Sequence, residues 1–260
     1  AANPTLFNWN VVWVKTCDGG SWTGIRQGAV DGLFYRGRAI LDATVDDLLP
    51  RGILNATDIV VSGGSAGALG VYLNVDYYRQ RLERVDPHRT MKFSGMPDGG
   101  FFMDYNAKGY HDGMAWIASA GGMNAALHPA CASAHVDEPA LCMFAPHLAR
   151  FIETPLFVLQ AKYDAWQIPN ILGSSDAAAI NKFGADMAAL LRANVLNRPA
   201  NAVFLDSCRH HCGGWDMYVV DGLTEAQAFA EWYRGAALPN RGRLLDGSAY
   251  PCATCVCSFV

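Results

Sequence analysis

Charge is scarce in this chain of 260 residues: Asp, Glu, Lys and Arg make up 17% of it, against 51% apolar residues. Disordered chains show the opposite balance, so a compact globule is expected, a single domain over residues 1–260 with ample length to bury a core. Basic tracts are missing, and with a net charge of −4 the chain offers no footprint for nucleic acid. No apolar run approaches the ~18 residues of a membrane-spanning helix, so membrane insertion is not expected. Internal repeats and linkers are absent too. The opening Ala1-Ala2-Asn3-Pro4 carries no signal-peptide pattern, so a processed chain or a fragment is expected.

Cysteine, by contrast, is not lacking. The eight are Cys17, Cys131, Cys142, Cys208, Cys212, Cys252, Cys255 and Cys257. Zinc is one reading, because Cys208 and Cys212, and Cys252 and Cys255, have ligand-like spacing. Three cysteines crowded between 252 and 257, and the short loop between Cys131 and Cys142, fit disulfides in an oxidising compartment better. Asn55-Ala56-Thr57 is a glycosylation sequon, in keeping with secretion.

The most informative segment is Gly63-Gly64-Ser65-Ala66-Gly67, directly behind the apolar run Asp58-Ile59-Val60-Val61. It reads as a strand, a sharp turn and a helix start, with Ser65 at the turn and glycines on either side where larger side chains would collide. In that geometry the Ala66 backbone N–H opens the helix and is placed to stabilise an oxyanion. Around this elbow, Val11-Val12-Trp13-Val14-Lys15 predicts a strand, and Ile40, Leu41, Val45, Leu48 and Leu49 a helix. Further strands are predicted at 58–62, 91–94, 155–159 and 202–205, with a turn at Pro97-Asp98-Gly99-Gly100. Helices are predicted at 66–82 and 186–194. A last one opens at Thr224-Glu225-Ala226-Gln227, a capping box. Residues 101–149 read as an irregular, lid-like insertion rich in Gly, Met, His and aromatics. Alternating strands and helices imply an α/β fold of the α/β-hydrolase type, a mainly parallel sheet with helices on both faces.

A serine hydroxyl needs a base, and the base needs an acid to orient it. In α/β-hydrolases these follow the serine in the order acid, then histidine, each after a strand. Asp164 follows the 155–159 strand. His211 follows the 202–205 strand in Ser207-Cys208-Arg209-His210-His211-Cys212, where two cysteines would pin the loop. Chemistry alone leaves His210 open beside His211, and Asp206 or Asp216 open beside Asp164.

These segments together resemble the pectin acetylesterase family, which includes plant pectin acetylesterases and the animal esterase Notum. The resemblance rests on Asn3-Pro4, Phe7-Asn8-Trp9-Asn10, Val14 to Gly19, Phe34 to Gly37, Ser62 to Gly67, Cys142-Met143-Phe144, Tyr163 to Ile168, Ser207 to Cys212 and Tyr250-Pro251-Cys252. It implies Ser65 as nucleophile, Asp164 as acid and His211 as base, in an esterase that uses an acyl-enzyme and neither metal nor cofactor. It also implies that the family's Gly-Gly-Gly-Trp-Cys oxyanion loop is missing, for Gly19-Gly20-Ser21-Trp22 follows a later motif. Cys17 is then expected to be without a partner.

Three readings follow. The first is a secreted, monomeric acetylesterase acting on acetylated cell-wall polysaccharide, with Trp22 and Trp166 as candidate sugar platforms. The second is a Notum-like esterase for long acyl chains, with Phe101, Phe102, Met103, Met114 and Met123 lining a deep pocket. The third is a catalytically impaired binding protein on a hydrolase fold.

Overall fold

A computed structural model describes residues 5–257. Of the segments that carry the resemblance, Asn3-Pro4 lies outside the described residues. In chain order the regular elements begin with helix α1 (Gly37–Leu48), strand β1 (Asp58–Gly64), helix α2 (Ala66–Val85) and strand β2 (Lys92–Asp98). Three short helices follow, α3 (Tyr110–Ala120), α4 (Pro129–Ala134) and α5 (Ala145–Leu148). Then come β3 (Phe157–Ala161), α6 (Ala177–Asn194), β4 (Ala202–Asp206), the hairpin β5 (Val219–Val220) and β6 (Leu223–Thr224), α7 (Glu225–Tyr233) and β7 (Arg243–Leu245).

Strands β1, β2, β3, β4 and β7 lie side by side in that order, all parallel, in one sheet. Successive side chains of a strand face opposite ways, and the central strands show it. Val158, Val203 and Leu205 join one apolar cluster with α2 and α6, while Phe157, Leu159, Ala202 and Phe204 join another with α7. Helices therefore cover both faces, the α/β arrangement expected from the alternation of elements.

Strand β3 is buried throughout, as is β4, but β1 sits at the sheet edge and is only half-buried along Asp58–Val61. The strand predicted over 11–15 does not form. Val11 and Trp13 are exposed there and join no ladder, and an apolar run without a pairing partner or a face to bury has nothing to hold it extended in a sheet. Pro97 and Asp98, read as a turn, extend β2 and pair with Gly63 and Gly64. Helix α6 starts nine residues before the predicted 186, because Asp176 accepts a hydrogen bond from the Ala179 N–H at 2.8 Å and caps an alanine-rich first turn. The capping box of Thr224 and Gln227 forms as read.

Residues 101–109 are irregular as expected, but 110–149 are mostly short helices and 3-10 turns, and Met103, Met123, Cys131, Phe144 and Leu148 are fully buried in the larger cluster. The cysteines form Cys131–Cys142, Cys208–Cys257 and Cys252–Cys255 disulfides. The zinc reading of Cys208, Cys212, Cys252 and Cys255 falls with them. Cys17 and Cys212 remain unpaired among the described residues. The histidine loop is thus pinned at Cys208 alone, not at both of its cysteines.

Candidate active site

Ser65 stands between β1 and α2 with φ +56° and ψ −122°, a left-handed conformation that costs a residue with a Cβ about 1–3 kcal/mol. Its N–H donates to the Asp98 carbonyl at 2.9 Å, tying the turn to the end of β2. Gly63 makes the bend possible: a Cβ there would lie 2.5 Å from the Gly67 carbonyl carbon. The expected crowding at Gly67 is not found, since a Cβ on that residue would meet nothing within 4 Å. Ala66 is the first residue of α2, so its N–H has no acceptor within the helix.

Three strand ends bring the side chains together. His211 Nε2 lies 2.7 Å from Ser65 Oγ, and its Nδ1 lies 2.9 and 3.0 Å from the two Asp164 oxygens. With Nδ1–H donating to the carboxylate, Nε2 is left to accept from the serine hydroxyl. Asp164 is fully buried, and an unpaired charge there would be costly. Its Oδ1 accepts from the N–H groups of Trp166 and Gln167 at 2.9 and 2.8 Å, and its Oδ2 from the amides of Gln160 and Gln167 at 3.0 and 3.2 Å. Those glutamines also accept from the backbone, Gln160 from Phe101 N–H and Gln167 from Met103 N–H, each at 3.0 Å. The acid is thereby fixed to the start of the helical layer.

Sequence reasoning gave neither glutamine a role. A signal for Gln160 was present, a lone amide in the apolar strand Phe157-Val158-Leu159-Gln160-Ala161.

The histidine loop is held from several sides. The Ala165 N–H donates to the His210 carbonyl at 2.8 Å, and the Gly213 N–H donates to Asp98 Oδ2 at 2.8 Å. Burial pushes the Asp98 carboxyl up, against the Gly213 N–H and the two histidines. Cys212 Sγ would lie 3.4 Å from a Cβ at Gly64. Burial, with the Asp98, Asp164 and Glu225 carboxylates, raises this thiol, which disfavours the reactive thiolate.

The alternatives separate by geometry. His210 Nε2 faces Asp206 Oδ2 at 2.9 Å instead of Ser65, and Asp216 is exposed. Trp166 stacks beside His211, centroids 5.9 Å apart at 30°, and keeps 38% of its surface exposed. Trp22 packs on α2, its ring 2.5 Å from where a Gly70 Cβ would stand. Phe101, Phe102, Met103, Met114 and Met123 are all buried in the core. Below the loop, burial and the neighbouring Asp98 and Asp206 push the Glu225 carboxyl up to about 9. No helix of the described residues is long and apolar enough to cross a membrane.

The pectinacetylesterase family model matches residues 1–257. Pectin acetylesterase 11 of Arabidopsis thaliana is 33% identical over 90% of the chain and 66% of its own length; pectin acetylesterase 7 of the same plant is 33% identical over 82% and 60%. The chain thus spans about two thirds or less of these relatives. Palmitoleoyl-protein carboxylesterase notum2 of Xenopus laevis is 27% identical over 89% of the chain and 51% of its own length. With a family model matched along nearly its whole length and plant relatives at this identity, the chain belongs to the pectinacetylesterase family, a family of carboxylesterases.

Proposed function

We propose that this chain is a single-domain serine esterase that removes O-acetyl groups from cell-wall polysaccharide. Ser65 Oγ attacks the acetyl carbonyl while His211 Nε2 takes its proton, and the Ala66 N–H supports the oxyanion. Collapse of the tetrahedral intermediate expels the sugar hydroxylate, which receives that proton from His211. Water, deprotonated by the same nitrogen, then attacks the acetyl-serine and releases acetate and free Ser65. Asp164 keeps the imidazole in the required tautomer throughout. The observation that carries the reading is the continuous chain of contacts from Ser65 Oγ through His211 to a buried carboxylate, at 2.7 and 2.9 Å.

Two further features bear on the substrate. Trp166 offers an aromatic face at the imidazole, suited to stacking on a sugar ring. The residues expected to line a long-acyl pocket are spent on core packing instead, which favours a short acyl group. The three disulfides suit an oxidising, extracellular setting, where the protein acts as a monomer.

Acetate release from acetylated pectin, measured beside a palmitoleoyl ester, tests the proposal. We expect turnover of the acetylated pectin, lost in Ser65→Ala. Preference for the long chain would overturn the substrate, and equal rates in both proteins would overturn the nucleophile.

A further inference from the structure

Directly beneath the histidine loop lies a second cluster that esterase chemistry does not use. Asp206 ends β4, His210 lies in the loop and Glu225 opens α7. Each presents one ligating atom, and these atoms all lie within 4.8 Å of one another. His210 Nε2 and Asp206 Oδ2 are 2.9 Å apart. Asp206 and Glu225 are each 1% exposed. Neither carboxylate has a lysine or arginine in ion-pair contact among the described residues; the pairing found at the cluster is that of His210 with Asp206.

Glu225 is the independent pointer to a ligand. Both of its carboxylate oxygens are buried and have no hydrogen-bond partner, and the His210 Nδ1 is in the same position. Buried polar groups are nearly always satisfied, and a buried carboxylate most of all. The capping box of α7 employs Thr224 and Gln227 and leaves the Glu225 side chain free to face the cluster.

We propose that Asp206, His210 and Glu225 bind a divalent transition-metal ion, zinc being the best match, as a structural pin between the histidine loop and α7. Two carboxylates and one neutral imidazole balance a dication, and one nitrogen with two oxygens suits zinc, with water as fourth ligand. Tetrahedral bonds of about 2.0–2.1 Å put ligand atoms roughly 3.3 Å apart, so the widest pair must close by about 1.5 Å or less. The surroundings already orient the donors. Asp206 Oδ1 accepts the Cys208 N–H at 2.8 Å, and the His210 ring stacks on Tyr218 with centroids 3.6 Å apart. Such outer contacts fix ligand orientation. The site is separate from Ser65, because the His210 side chain turns to Asp206 while its neighbour turns to the serine.

The test uses the whole chain without a polyhistidine tag, stripped with chelator and titrated with zinc, with metal content read by mass spectrometry and binding by calorimetry. We expect one zinc per chain and a Tm raised by roughly 5 °C at a hundredfold excess over Kd. Glu225→Gln and His210→Ala should each weaken binding by about 100-fold, and Ser65→Ala should leave it unchanged. Either of the first two variants suffices if the other fails to fold. Absence of zinc binding to the wild type would overturn the proposal and leave a proton on Glu225. Stoichiometric binding that survives both variants would overturn it as well, by placing the metal elsewhere.

Discussion

His210 and His211 are neighbours in sequence, and each sets a ring nitrogen about 2.9 Å from an aspartate near the end of a parallel strand. They differ in the nitrogen used, Nε2 in His210 and Nδ1 in His211, and in the third group. His211 has Ser65 Oγ on its other nitrogen; the other nitrogen of His210 has no partner, and the cluster it belongs to includes an unpartnered glutamate. A histidine–carboxylate pair is therefore not a catalytic signature by itself. What it does is set by what the other nitrogen meets, and in these adjacent residues the two rings are turned to different partners, His210 to Asp206 and His211 to Asp164 and Ser65.

The sharpest way to break this comparison is to remove each histidine in turn. His211→Ala should lower acetyl-ester turnover by about 10⁴-fold or more, since the serine loses its base. His210→Ala should cost less than about tenfold, through the loop alone. Comparable losses in steady-state kinetics would erase the distinction.

Exchanging the acids comes next. Asp164→Asn should lower kcat by about 10³–10⁴-fold by favouring the wrong tautomer, with Asp206→Asn nearer to wild type. Gln160→Leu is milder. It strips one donor from Asp164 and orphans the Phe101 N–H, so a loss of about 1–3 kcal/mol in stability is expected by denaturant unfolding, with a smaller fall in kcat.

The smallest effect concerns a third histidine–carboxylate group, in the helical layer. Asp104 Oδ1 lies 2.7 Å from His111 Nδ1, and its Oδ2 lies 2.8 Å from His147 Nε2. Burial would raise the Asp104 carboxyl, but the two imidazoles outweigh it and hold the group below its ordinary value. The hydrogen bond that His111 Nδ1 donates to Asp104 raises the His111 imidazole. A lowered acid stabilises above its unfolded pKa and loses that as pH falls through the folded value. A raised histidine stabilises below its unfolded pKa and loses that as pH rises through the folded value. The contribution is therefore complete between roughly pH 4 and pH 6.5. Thermal melts of wild type and His111→Gln should differ most in that window and converge as pH rises above it.

Much of this was legible from local signals. The elbow, the buried strands near 157 and 202 and the capping box at Thr224 each announce themselves within a few residues, because short-range sterics and hydrogen bonds create them. Val11 to Lys15 misled for the complementary reason: a strand is made by its neighbour, and no local pattern reveals that none lies alongside. The roles of Gln160 and Glu225 were hidden likewise. Gln160 can be seen in sequence as a lone amide in an apolar strand, but not that it donates to Asp164; Glu225 can be seen at the start of a helix, but not that its carboxylate is buried without a partner beside Asp206 and His210.

Strand order was equally invisible, and it puts the proposed nucleophile behind an edge strand. Ser65 follows the edge strand, which pairs with β2 alone among the described residues, while Asp164 and His211 follow strands with neighbours on both sides. An edge strand can detach without melting the sheet, at a free energy below that of global unfolding. Amides of β1 should therefore exchange with solvent sooner than those of β3 and β4. Esterase activity should vanish at denaturant concentrations where the bulk of the helical signal still stands, so the serine is lost to fraying while its acid and base are still in place.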